Sequence, residues 1–285
     1  MADENWMRRY VLKAGQKGKK GFEIGNIESA SQDALHVSFS IEKSDAESPN
    51  DAKVQIWNLS DQHVKVLESK DCVIELKAGY GDKMVLVLVG VITSAITTRS
   101  NADRITELSV VDSYTELRDT YIKVSLNGKV NSKTVYNTIA KKMGLPIKFG
   151  KDVKFKKVPN GFSYVGKAKN ALHKIATFNK NSWSIQDGII LVAVPGHAVK
   201  TSGYLLSEKT GLIDIPRKIT ISTEKKKEKS GWEVKYFLNG AIGVNDTVQL
   251  KSDRASGYFR VHKVTIDGDN MEGDWICTAQ LVRIK

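Results

Sequence analysis

Asp246-Thr-Val-Gln-Leu-Lys-Ser-Asp-Arg-Ala-Ser-Gly-Tyr-Phe-Arg-Val-His-Lys-Val-Thr-Ile-Asp-Gly-Asp269 carries a two-residue period on both sides of a turn. Val248 and Leu250 alternate with polar residues, residues 252–257 have turn chemistry, and residues 258–266 alternate again. The run therefore predicts two antiparallel strands with a tight connection. Asp267-Gly-Asp-Asn270 follows as a polar turn of residues that tolerate left-handed backbone, and residues 275–284 supply another strand. Residues 211–285 thus read as the closing part of a small β-barrel or sandwich.

Upstream, residues 219–222 and 232–238 are strands around a lysine-rich hairpin tip at 223–231. Before them the period changes. Ser132 is placed to cap a helix with Val135, Ile139 and Met143 on one face, ended by Gly144 with Pro146 beyond. Ala168, Leu172, Ile175 and Ala176 share the face of a second helix, and residues 183–185 and 189–194 form a hairpin about Gln186-Asp-Gly188.

The β pattern also precedes this module. Residues 36–42 alternate with Val37, Phe39 and Ile41 inward, and residues 52–59 alternate in turn. Residues 43–51, rich in Ser, Asp and Glu, read as a long hairpin loop. Ser60 is the N-cap of a short helix over 60–67. Residues 72–80 and 84–90 are strands joined at Gly81-Asp82, and residues 91–98 pair with 105–112. Residues 22–27 are a short strand, whereas the basic residues 1–21 show no apolar period. The expected organisation is a flexible basic arm (1–21), a first tube-like β-barrel domain (22–115), an α+β module (116–204) and a second tube-like β-barrel domain (205–285). The fold class is mainly β with an α+β middle.

Composition narrows the function classes. Of 285 residues 41% are hydrophobic and 27% charged, ordinary for a soluble chain with two or three small cores. No apolar run approaches bilayer length and no secretory leader opens the chain, so no membrane insertion or export is expected. Cys72 and Cys277, both in strand-like contexts, suit buried thiols in a reducing compartment. The net charge of +12 is spread along the chain, which fits solvated or interface-lining lysines better than one nucleic-acid patch.

No catalytic, cofactor-binding or metal-binding set emerges. His36, His63, His173, His197 and His262 lie in separate elements without metal-pair spacing. The glycines of residues 15–21 precede no helix, so they make no phosphate cradle. Asp267, Asp269, Glu272 and Asp274 lack the terminal bidentate glutamate of a calcium loop and read as a polar turn. Lys225-Lys-Lys-Glu-Lys229 reads as a solvated edge that discourages strand aggregation. Trp6, Trp57, Trp183, Trp232 and Trp275 show no period of a base-stacking platform and read as packing residues.

Several pieces, in order, resemble the baseplate hub proteins of phage tails and related contractile injection systems, of the late control gene D type. They are Val54-Gln-Ile-Trp-Asn-Leu-Ser60, Leu76-Lys-Ala-Gly-Tyr80, Leu88-Val-Gly90, residues 108–112, Gly211-Leu-Ile-Asp-Ile-Pro216, Leu238-Asn239 with residues 244–250, and Gly257-Tyr-Phe-Arg-Val-His262 through Gly268-Asp269 to Trp275. The resemblance implies a non-enzymatic homotrimer whose two tube-like domains per chain form a pseudo-sixfold ring. Such a ring joins the sixfold tail tube to the threefold spike, with the α+β module on the outside or lower rim. It implies as partners a tail tube or tube-initiator protein, a spike protein and other baseplate proteins, with DNA passing the lumen without sequence-specific binding. The location implied is the virion tail, reached from the host cytoplasm during assembly. A bore that passes DNA needs a wall on which phosphate slides, so most lysines are expected on the outer wall or against acidic neighbours. The competing readings are a nucleic-acid- or polysaccharide-binding barrel module, prompted by the charge and by aromatics expected to be exposed, and a hydrolase using Asp267 to Asp274.

Overall fold

A computed structural model describes residues 7–26, 34–112, 119–199, 203–222 and 228–284. The first β part holds β1 (Arg8–Gln16), β2 (Phe22–Gly25), β3 (Val37–Ser44), β4 (Asp51–Trp57), helix α1 (Asp61–Leu67), β5 (Cys72–Tyr80), β6 (Lys83–Ser100) and β7 (Asp103–Val111). The middle part holds β8 (Tyr121–Leu126), β9 (Val130–Asn131), α2 (Ser132–Met143), β10 (Ile147–Phe149), β11 (Lys157–Val158), β12 (Phe162–Lys167), α3 (Ala168–Asn179), β13 (Ser182–Gln186) and β14 (Ile189–Ala193). The last part holds β15 (Gly203–Leu206), β16 (Arg217–Ser222), β17 (Glu228–Phe237), β18 (Thr247–Lys251), β19 (Ser256–Asp269) and β20 (Trp275–Arg283). The chain is mainly β with an α+β middle, as its periodicities predict.

Alternation decides which side chains enter the core. Val37, Phe39 and Ile41 of β3 are buried, as are Val248 and Leu250 of β18. The Ser60 hydroxyl accepts from the His63 amide at the start of α1, which buries Val64 and Leu67. In the middle part Val135, Ile139 and Met143 of α2 pack with Leu172, Ile175 and Ala176 of α3 in a core of their own. Cys72 and Cys277 are both buried free thiols; burial pushes Cys277 up to about 12.

Four local expectations change. The flexible basic arm does not extend over Arg8–Gln16, which form a strand paired along its length with β5. Tyr10, Leu12 and Ala14 alternate inward there, a period masked by the preceding Arg8 and Arg9 and the intervening Lys13. Residues 84–90 and 91–98 are one continuous strand, because Gly90 ends nothing: a Cβ at that position would lie 2.6 Å from Val110 Cγ1, so glycine allows close approach. Asn131, not Ser132, caps α2 by accepting from the Lys133 amide, while the buried Ser132 hydroxyl donates to Asn179. The polar turn predicted at 267–270 starts later, since β19 runs through Asp269. The lysine tip lies largely outside the described residues, as does Trp6.

Both β parts contribute to one antiparallel-dominated sheet of order β16-β17-β20-β19-β3-β4-β7-β6-β5-β1-β2, with β18 added to β19 and β15 to β18. Within it two four-strand runs lie end to end, β16-β17-β20-β19 and β3-β4-β7-β6, and they correspond strand by strand. Each opens with a hairpin. Each closes on a long strand with one extra residue against its neighbour, His262 in β19 and Thr93 in β6. Before that bulge each long strand also pairs a strand outside the run, β18 or β5. A bulge bends and twists its strand. The outer strands thereby fold back over the run, and side chains of β1 and β5 share one core with those of β3, β4, β19 and β20.

Candidate assembly interface

The two runs meet where β19 pairs antiparallel with β3, Lys263 opposite Ser44 through Asp269 opposite Ser38. Ile266 faces Ile41 on the core side of this joint, and both are buried. Gly268 faces Phe39, and a Cβ there would lie 2.2 Å from Phe39 Cζ. Phe39 in turn meets Trp275 edge-on at 5.5 Å between ring centroids. Gly268→Ala is therefore expected to destabilise the chain by about 1–3 kcal/mol through overpacking. Thermal melts measure the loss, and Phe39→Leu in the same chain should recover part of it; an unchanged midpoint would refute the tight contact.

The opposite face of the joint is polar. Directly paired residues share a face, which places Lys53, Ser40 and Asp267 in one row and Glu42, Thr265, Thr278 and Lys235 in another. The Ser40 hydroxyl donates to Asp267 at 2.7 Å, and Lys263 pairs with Glu42 at 2.7 Å. Lys53, Lys235 and Lys263 interleave with Glu42, Glu233 and Asp267, so this strip is close to charge balance although the chain carries +12.

The β3–β4 loop ties the three parts together. Asp45 pairs with Arg260 at 2.5 Å and with His262 at 2.7 Å, both on β19. Arg260 is 5% exposed, and its guanidinium also donates to the Asn245 side-chain oxygen at 2.5 Å. Burial works to raise the Asp45 carboxyl, but hydrogen bonds and charge from His262 and Arg260 hold it below the ordinary carboxylate range. On the other side, Lys43 reaches Asp187 at 2.7 Å, Glu47 pairs with His173 at 2.6 Å, and the Asn50 amide donates to the Ile185 carbonyl at 3.0 Å. The Asp112 carboxylate accepts from the Asp187 and Gly188 amides, fixing the β13–β14 turn against the first β part.

The residues weighed as chemistry are dispersed into these contacts. His36 lies 3.0 Å from Asp269 and stacks on Trp57 at 3.8 Å, His63 stacks on Phe22, and His197 pairs with Asp152. Asp269 also accepts from the Met271 and Glu272 amides as the cap of its turn, while Asp267 bonds Ser40 and Glu272 and Asp274 point to solvent. Burial works to raise Asp269, yet His36 and those two amides hold it low. Among the described residues no group of three or more His, Cys, Asp or Glu is arranged to hold a metal. The glycines at 15–21 turn the β1–β2 hairpin. Sequence reasoning passed over Lys43, Asp45, Asp187 and Arg260. One signal was available, because Lys43 occupies the inward position after Val37, Phe39 and Ile41, where a lysine needs a buried partner.

No family model and no curated protein matches the chain. Solved structures do. The 43 kDa tail protein of prophage MuSo2 from Shewanella oneidensis is similar at a TM-score of 0.61 and 10% identity, over 97% of this chain and 98% of that one. A tail protein from Neisseria meningitidis MC58 gives 0.62 and 11%, over 96% of each chain. The E. coli c3393 protein, a type VI secretion component described as structurally similar to the T4 tail proteins gp27 and gp5, gives 0.60 and 9%, over 91% of this chain and 76% of that one. The fold is that of phage tail proteins, as the resemblance in sequence implied.

Proposed function

We propose that the chain is a structural, non-enzymatic hub of a phage or phage-like tail baseplate, acting as a homotrimer. The observation that carries this reading is the end-to-end repeat of two corresponding four-strand runs in one chain. Three copies supply six near-equivalent units, which match a sixfold tail tube on one side while the chain symmetry matches a threefold spike on the other. Residues 22–115, extended by β1, and 205–285 are the two tube units, and 116–204 is a module outside the ring. The charge-balanced strip across the β19–β3 joint suits a lumen wall, since DNA passing it is neither held by cations nor repelled by excess carboxylates. Partners are the tail tube or its initiator, a spike protein and other baseplate proteins. The location is the virion tail, with assembly in the host cytoplasm.

Mass measurement in solution with negative-stain imaging tests the reading. A ring-shaped particle of three chains is the expected result. A monomer that binds DNA with steep salt dependence would overturn it in favour of a nucleic-acid-binding barrel module.

A further inference from the structure

The second half of β6 has an edge with no partner among the described residues. Strand β5 pairs β6 only as far as Val91, and residues 94–100 pair β7 alone. Free sheet edges are usually blunted by proline, lysine or inward charge, yet Thr93-Ser-Ala-Ile-Thr-Thr98 has none of these. Ile96, on the polar face, is 58% exposed. Among the described residues strand β16, at the other end of the order, likewise pairs β17 alone.

The repeat says what belongs on that edge. In β19 the segment after the bulge is the one that β3 covers. The corresponding segment after the bulge of β6 begins at Ser94. The counterpart of β3, as first strand of its run, is β16. We propose that residues 94–100 of β6 pair antiparallel with β16 of a second copy of this chain, repeating between chains the joint that β19 and β3 make within one. This rests on the hub reading and specifies its contact between chains.

The register follows from the ladders. Arg217 and Ser40 hold the same place, through Glu233 to Gln280 and through Lys53 to Ser109. Gln280 opposes Lys263 and Ser109 opposes Ser94, each the first residue after its bulge. Asp267, opposite Ser40, therefore corresponds to Thr98. Thr98 then faces Arg217 of the second copy, Ile96 faces Ile219 and Ser94 faces Ile221. Side-chain parity agrees. Ile96 lies on the polar face with Glu107, and Ile219 lies beside Gly231 on the face of Glu233 and Lys235. Pairing buries the exposed Ile96 against Ile219 and closes the sheet from chain to chain.

Cysteine pairs test this, because both native thiols are buried and opposed antiparallel residues have Cα separations that admit a disulfide. The full-length chain carrying Ile96→Cys and Ile219→Cys, oxidised mildly, should shift from a one-chain band to two- and three-chain bands on a non-reducing gel. The pair Ile96→Cys and Lys218→Cys should not, since Lys218 points to the other face. Independently, Ile96→Lys should dissociate the assembly, and Ile219→Glu added to it should restore the assembly. A three-chain mass without crosslinks, or with equal crosslinking in both pairs, overturns this pairing and leaves the hub reading standing. A chain that neither assembles nor crosslinks in any variant overturns both.

Discussion

Asp45→Ala should lower the thermal midpoint on the order of 10 °C, from a loss of about 3–5 kcal/mol. Arg260 is the reason. The residue is 5% exposed, and its Nε has no hydrogen-bond partner among the described residues. Asp45 is the counterion that makes this burial tolerable. Removing one partner of a buried pair leaves a desolvated charge, which costs more than the pair contributes. The double variant Asp45→Leu with Arg260→Met should accordingly be more stable than Asp45→Ala alone, and a double variant that is worse would sink the argument. The pH dependence has a definite sign. Because the Asp45 carboxyl is depressed in the folded chain, its contribution is fully present above the ordinary carboxylate range and is lost as pH falls through the depressed value. Asp269 adds a loss of the same sign. In Asp45→Ala the midpoint should therefore depend less on pH between neutrality and the acid range than in the parent chain.

Trp275→Ala should cost about 3–5 kcal/mol, the range for emptying a large buried aromatic site. The ring is 2% exposed and packs edge-on against Phe39, with the Arg8 guanidinium 6.0 Å from its centroid. Its carbonyl accepts from the Tyr80 hydroxyl at 3.2 Å. Three distant segments of chain thus converge on one residue beside the β19–β3 joint. A cavity there has little freedom to collapse, because Phe39 is held by the joint and Tyr80 by its strand. Urea denaturation measures the effect. Trp275→Phe should retain most of the stability, whereas a loss below about 1 kcal/mol in Trp275→Ala would mean the site relaxes and the joint does not depend on this ring.

Much of this architecture was legible beforehand for a simple reason. Alternation in β3, β18 and β19 and the apolar faces of α2 and α3 are local, and each marks its own buried side without reference to the rest of the chain. Where local marks conflicted, reading failed. Arg8, Arg9 and Lys13 hid the inward period of β1, and Gly90 suggested an end inside β6. The loop after β3 has no apolar residue to anchor it except Ala46 and so read only as a long hairpin loop, although Asp45, Glu47 and Asn50 anchor it through charge and hydrogen bonds.

The sequence by itself determined most strands of the two β parts, the two helices of the middle part, the β, α+β, β order and the likeness to tail hub proteins, because these depend on period, turn chemistry and order along the chain. Only the tertiary structure decided that β19 pairs with β3, that Asp45 meets Arg260, and that the two runs repeat with one edge at each end unpaired among the described residues. Strand pairing and ion pairing across two hundred residues are set by which faces meet once the sheet folds back at its bulges. No local period records that meeting.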